Sequence, residues 1–410
     1  MSMGYLYRST LAIHSAALQG CQSAALTMTF AVAVLALGAC DSPRDSVGEV
    51  KAATAGPESS QADKAPAAQA REDALATARV WAPPAVPVDR ANLRDNPPGP
   101  GAFRSDEEVS CRFRVETVNG LTPKFHCDLA SGDTIKVKYG SGNAELHAEV
   151  AATRLLSALG FAADRMYVVR SVRCAGCPTF PFRALQCLEK TGIEAGCFPG
   201  GIDYDRVITF ETAVVERRLE GRKIEAVSDQ GWAWYELNKI DPSRGGSSAA
   251  EVDALRLMAV VLAHWDNKAE NQRLLCSPEA ERPDGSCANA LAIIQDAGAT
   301  FGPVRVDLTN WRLFRVWKDP RTCAVSMKSL PYHGATFVDR QISEAGRTLL
   351  LSLLEQLTDQ QLKDLFETSR MIDYDQITAE ARRPEAWVRA FRDKVSQIRD
   401  GGPCPAITAS

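Results

Sequence analysis

The sequence predicts an α+β fold of two lobes, a small antiparallel β lobe carrying one helix and then a larger, mainly helical lobe. Two observations carry this. Between residues 111 and 139 apolar and polar side chains alternate in short runs separated by turn residues, the period of half-buried strands. After residue 220 the period becomes that of helices and stays so almost to the C-terminus.

The elements follow in order. Residues 1–40 read as an export leader, apolar from Ala24 to Leu37 with Arg8 upstream. The leader closes on Leu37, Gly38, Ala39 and Cys40, which resembles a bacterial lipobox. That resemblance implies cleavage before Cys40 and acylation of its thiol, so that the exported chain meets a membrane only through this residue. A plain secretory signal or a single anchor helix is the alternative. No later stretch is long and apolar enough to span a bilayer. Residues 41–103 are rich in Ala, Pro, Glu, Ser and Asp, a composition that predicts a disordered tether.

The β lobe is expected over 104–218. Strands near 111–118, 124–129 and 133–139 have Asn119 and Gly120 at the first turn. A helix over 144–160 repeats Val150, Leu155, Ala158 and Leu159 at helical spacing and stops at Gly160. Strands near 166–173 and 207–219 complete a five-stranded sheet, interrupted by a Cys- and Gly-rich insertion over 174–204. The helical lobe is expected over 219–404, with helices at 249–263, 342–367 and 379–398. Trp232 and Trp234 either fill a core or cap a cleft, and core is the expected place.

Composition narrows the classes. The chain of 410 residues is 45% hydrophobic and 24% charged, a globular balance. A net charge of −4 gives no reason to expect a nucleic-acid partner. Twelve cysteines, less Cys21 in the leader and Cys40 at its end, leave ten, an even number that reads as disulfides in an exported chain. Proximity pairs Cys111 with Cys127 and Cys276 with Cys287, and Cys323 with Cys404 would tie down the tail. Cys174, Cys177, Cys187 and Cys197 either pair or form a four-thiolate zinc site. Pro178 stands where a haem attachment site needs His, and there is no G-x-S-x-G for a serine hydrolase.

The most specific stretch is His264, Asp266, Lys268 and Asn271, in the spacing H-x-D-x-K-x-x-N before a short apolar strand. Phosphoryl transfer asks for these groups: a carboxylate to orient an attacking hydroxyl, a cation beside the moving phosphoryl, and an amide oxygen for a metal ion. Downstream, an apolar run from Leu291 delivers Asp296, a second metal-ligand candidate, with Gly298 two residues on. Upstream, Lys136 and Lys138 share one face of a strand, followed by Glu145 and Glu149 on a helix. Lys138 with Glu149 is the favoured ion pair, with Lys136 and Glu145 as alternates. Before these, Gly120 to Lys124 is either a plain hairpin turn or a phosphate-binding loop.

In this order the chain resembles the protein-kinase-like superfamily on its atypical side, in the style of HipA-type, CotH and secretory-pathway kinases, over residues 104–400. The resemblance implies a bilobal kinase-like fold and an ATP- and Mg²⁺-dependent phosphotransferase, with Mn²⁺ as alternative metal. Asp266 and Lys268 would be catalytic, and Asn271 and Asp296 would hold the metal. Lys138 and Glu149 would grip the α- and β-phosphates, with Gly120 and Lys124 in the phosphate loop. Glu216 would lie at the hinge where backbone groups meet adenine. The acceptor would be a hydroxyl of a protein, sugar or lipid. An inactive binding module and an AMP-transferring enzyme are the other readings. His264 would brace the loop. Three departures stand out: Trp265 replaces the usual Arg, Ala297 the Phe of D-F-G, and no Ala-Pro-Glu motif follows. They argue against control by a phosphorylated activation loop and against ordinary peptide docking.

Overall fold

The computed structural model describes residues 61–226, 231–331 and 334–406, with backbone alone for 61–66. The leader and Cys40 lie outside the described residues. Seven strand segments form the main sheet: β1 (Glu108–Arg114), β2 (Lys124–Asp128), β3 (Thr134–Tyr139), β4 (Arg165–Val168), β5 (Ser171–Ala175), β6 (Val207–Phe210) and β7 (Ala213–Arg217). Their order is β4-β7-β3-β2-β1-β5-β6. β8 (Arg222–Lys223), β9 (Gln272–Cys276) and β10 (Leu291–Ile294) make a small second sheet. The helices are α1 (Gln61–Ala76), α2 (Ala144–Ala158), α3 (Pro181–Thr191), α4 (Glu194–Cys197), α5 (Ala249–Leu262), α6 (Leu308–Leu313), α7 (Glu344–Leu354), α8 (Asp359–Thr368) and α9 (Pro384–Asp400). The α+β class is the one the sequence predicts.

The seven segments are five strands, two of them bent. One antiparallel register runs through the pairs β4–β7 and β5–β6, from Arg165 opposite Arg217 to Ala175 opposite Val207. The bends fall at Val169 and Arg170 on one strand and at Glu211 and Thr212 on the other. They let β7 pair with β3 while β5 pairs with β1, so the sheet curls and closes on itself. Closure also introduces one parallel contact, β1 with β5, into an otherwise antiparallel sheet.

Side-chain alternation then sorts the lobe. Ile135 and Val137 of β3 enter the core inside the curl with Phe113, Phe125 and Val215, and the insertion caps it with Phe182, Leu185 and Phe198. Lys136 and Lys138 therefore face the other side. α2 lies on that side. Its Leu146 and Val150 pack on Met166, Val168 and Val214, while Ala151, Leu155 and Leu156 join the core of the helical lobe. α2 is thus shared between the lobes.

In the helical lobe, α5 starts at a capping box, Ser248 with Glu251, and is buried along its length. It ends at Ala263, whose φ of 53° turns the chain sharply into the segment from His264. Trp232 and Trp234 are core residues.

Two expectations need correction. The composition of 41–103 predicts a tether, yet from residue 61 the chain is structured: α1 forms, and Leu75, Ala78, Val80, Val88 and Leu93 are buried in the helical-lobe core. Arg71 is buried too and chelates Glu236 at 3.0 and 2.8 Å. A few spaced apolar groups and one arginine suffice, and composition averages hide them. The zinc alternative also falls. All ten cysteines pair: Cys111–Cys127, Cys174–Cys177, Cys187–Cys197, Cys276–Cys287 and Cys323–Cys404. No thiolate of the insertion is left to bind a metal.

Candidate active site

Two neighbouring elements set the centre of the site. β3 projects Lys138 towards α2, where Glu149 stands one turn beyond Glu145. Lys138 Nζ lies 2.5 Å from Glu149 Oε2, and both side chains are wholly buried. Lys136 turns instead to Glu216 Oε1 at 2.5 Å. Glu145 accepts from Thr122 Oγ1 at 2.5 Å and backs onto Gly298, where any Cβ would come within 2.8 Å of its own Cβ. The favoured pair, rather than the alternates, is thus the one that meets.

The loop after α5 is built by its own backbone. His264 is buried, and Trp265 N donates to Ala299 O at 3.1 Å. Asn271 Nδ2 donates to Asp266 O at 2.6 Å, which leaves its Oδ1 for another partner. Asn271 O accepts from Gln295 N and Asp296 N at 2.9 and 3.0 Å, locking the loop to the end of β10. Asp266 Oδ2 lies 3.5 Å from Lys268 Nζ. Asp296 Oδ1 accepts from Gly298 N at 3.0 Å, and its Oδ2 lies 3.8 Å from Lys138 Nζ. Gly120 has a φ of 92°, and a Cβ there would stand 2.9 Å from Lys124 Nζ, so the turn needs glycine where that ammonium folds over it.

Three lysines, Lys124, Lys136 and Lys138, and four carboxyl groups, Glu145, Glu149, Glu216 and Asp296, crowd this centre. Burial alone would lower the Lys138 ammonium, but Asp296, Glu149 and Glu216 outweigh it and hold its pKa well above the usual lysine value. Burial would raise Asp296, yet Lys138, Lys124 and Lys136 hold it well below the usual carboxylate range. Burial works to raise the Glu149 carboxyl, while the Lys138 ammonium 2.5 Å away favours its ionised form. Burial, and then Lys138, lower Lys124. Burial takes His264 down to about 4, so the ring is neutral at working pH, and it packs against the Trp234 ring at 6.1 Å between centroids. An ionised Asp296 beside an available Asn271 Oδ1 is an oxygen donor set that suits Mg²⁺ or Mn²⁺.

A cavity of about 640 Å³ lies beside Lys136 and Glu216, while Lys138, Glu149, Asp266, Asn271 and Asp296 do not line it. Lys136 and Glu216 line it, together with Arg217, Arg218, Leu219 and Glu220 after β7, and Leu275 and Leu291 of the second sheet. Glu216, at the end of β7, lies 2.5 Å from Lys136 Nζ and 3.7 Å from Lys138 Nζ.

Two groups escaped sequence reasoning. Asn267 Oδ1 accepts from Thr336 N and Phe337 N, both at 2.9 Å, and its Nδ2 donates to His264 O at 3.0 Å. It pins the loop to the chain 70 residues on, and its place between Asp266 and Lys268 was the available signal. Asp164 accepts from Leu219 N at 2.9 Å and from Arg273 Nη2 at 2.6 Å, fixing the segment after β7. No local pattern marks it.

No family model matches the chain, and no curated protein matches it. Among solved structures, the proinflammatory kinase CtkA of Helicobacter pylori is similar over 72% of this chain and 96% of its own, at 11% identity and a TM-score of 0.39. The Golgi casein kinase is similar over 72% of each chain, at 12% identity and a TM-score of 0.33. Its structure with Mn/ADP bound covers 72% of this chain and 74% of its own, at 13% identity and a TM-score of 0.32.

Proposed function

We propose that the protein is an ATP- and Mg²⁺-dependent phosphotransferase acting on a hydroxyl acceptor outside the cytoplasm. The observation that carries this is the buried Lys138–Glu149 pair with Asp296 3.8 Å from the same ammonium. One cation is held between a bracing carboxylate and a metal-ligand candidate, the arrangement that phosphate binding beside a metal needs. Asp296 and Asn271 would hold the metal, which when bound would neutralise phosphate charge. Lys138 would hold the α- and β-phosphates, with Lys124 and the turn at Gly120 above them. Asp266 would orient the acceptor hydroxyl and receive its proton, and Lys268, 3.5 Å from it, would steady the transferred group. The cavity at Glu216 and the segment after it would take the base.

Five disulfides suit an oxidising compartment. Anchoring through an acylated Cys40 belongs to the same proposal. The testing experiment is Mg²⁺-dependent binding of ATP by thermal shift, followed by transfer with wild type and Asp266→Ala and mass analysis of the product. A phosphoryl adduct supports the reading. An AMP adduct, or binding without turnover, would replace it with one of its two rivals.

A further inference from the structure

The segment from residue 77 to residue 103 packs into the helical-lobe core through Ala78, Val80, Val88 and Leu93 and reaches the β-lobe core at Phe103. Its backbone joins the edge of β10, with Arg79 N on Ala290 O at 2.7 Å and Ala292 N on Arg79 O at 2.9 Å. Trp81 Nε1 then donates to Leu159 O, just past α2, at 2.8 Å. The next turn packs so closely that a Cβ on Gly160 would come within 2.1 Å of Ala82 O. Val88 O and Ala91 O both accept from Gln361 Nε2 of α8 at 2.8 Å. Asn96 reaches the sheet: its Nδ2 donates to Val168 O at 2.7 Å and its Oδ1 accepts from Val168 N at 3.0 Å.

The last of these attachments, Asn96, also meets a side chain of α2. Arg154 is buried, and its guanidinium donates to Arg94 O at 3.1 Å, to Asn96 Oδ1 at 2.6 Å and to Thr368 Oγ1 of α8 at 2.8 Å. None of these acceptors is a carboxylate. Burial lowers the Arg154 pKa to about 10 and the nearby carboxylate of Asp95 offsets that only in part, so holding the cation here is costly. What the arginine adds is direction. A planar fork fixes α2 at once to the segment, to the sheet through Asn96 and to the helical lobe through Thr368.

We infer that residues 77–103 act as a built-in strap that holds α2 in its inward position, and that Arg154 is the positioning residue through which the strap keeps Glu149 on Lys138. Arg154 lies five residues after Glu149 on the same helix, so a rigid rotation or outward shift of α2 that parted Glu149 from Lys138 would also strain the Arg154 fork. The strap makes the paired arrangement constitutive and does the work that a switchable partner would otherwise do. This rests on the phosphotransferase reading for its effect on catalysis, but not for its effect on α2.

The test uses the full oxidised chain with Arg154→Ala and Asn96→Ala, read in two ways. Hydrogen exchange of the α2 amides, 144–158, should speed by at least tenfold in folded variants, with exchange in α5 and α9 unchanged. Phosphoryl transfer should lose at least tenfold in kcat, with KM for the acceptor changing less than threefold, because neither side chain touches the acceptor. Arg154→Lys should recover part of kcat. Asn96→Ala leaves the Arg94 and Thr368 bonds in place, so it keeps the test available if Arg154→Ala does not fold. Unchanged α2 exchange in a folded Asn96→Ala variant would overturn the strap. Faster α2 exchange in a chain whose wild type transfers nothing would uphold the strap and overturn the phosphotransferase.

Discussion

At the scale of the residue, the site separates two aspartates by what surrounds them. Asp296 lies against Lys138 and is held ionised by lysines on three sides. Asp266 faces Lys268 and has its backbone clamped by Asn271. Their substitutions should therefore fail differently. Asp266→Ala should lower transfer by about 100- to 10,000-fold, the usual range for a lost general base, while nucleotide still protects the fold thermally. Asp296→Ala should lose the Mg²⁺-dependent part of that protection, and a full Mg²⁺·ATP shift in this variant would show that it is not a metal ligand. His264 makes a pH prediction. Its folded pKa is depressed to about 4 by burial, against an ordinary 6.5, so the unfolded chain binds more protons between those values. Above pH 6.5 the ring is neutral in both the folded and the unfolded chain, and stability no longer depends on pH through it. Stability is lost as pH falls from 6.5 towards 4, by roughly 3 kcal/mol in full. His264→Gln should remove that part of the acid slope in urea melts, and an unchanged slope would place the loss elsewhere.

At the scale of the element, the strands and α2 were legible because their signals are local. Alternation over β1 to β3 and the stop at Gly160 need no partner to be read. The choice of Lys138 over Lys136 was half legible: both share a face, and only the phase of α2 decides which meets a glutamate of that helix, Lys136 turning to Glu216 of β7 instead. The bends in the two long strands were not legible, since the register continues through them and closure depends on distant strands. α1 and the strap were hidden for the same reason, because Arg71 needs Glu236 and Asn96 needs Val168 before either segment is more than Ala- and Pro-rich chain. The disulfides carry an element-scale prediction. Cys323–Cys404 closes a separation of 81 residues and ties the end of α9 back to the helical lobe, whereas Cys174–Cys177 closes 3. Loop entropy in the unfolded chain makes the long bridge worth more, about 4 kcal/mol or above on the simplest model. Replacing Cys323 and Cys404 by Ser should lower Tm more than replacing Cys174 and Cys177, as calorimetry of both double variants would establish.

At the scale of the whole molecule, the parts describe a site assembled once and kept. Helix α2 packs into both lobes, each of the five disulfides closes within one lobe, and Trp265 offers no positive charge to an activating phosphate. Phosphatase treatment should therefore leave activity unchanged, and activity that vanished with phosphatase and returned with an upstream kinase would contradict this. The claim on which the rest depends is transfer of a phosphoryl group at Asp266 with Lys138 and Asp296 holding the donor. Its most direct measurement is a single-turnover assay with γ-labelled ATP and Mg²⁺ on oxidised wild type, Lys138→Met and Asp266→Ala. The account predicts label on a hydroxyl of an acceptor or of the chain itself with wild type, and loss of that label in both variants. Label transferred equally by Asp266→Ala, or no Mg²⁺-dependent ATP binding by wild type, would contradict it.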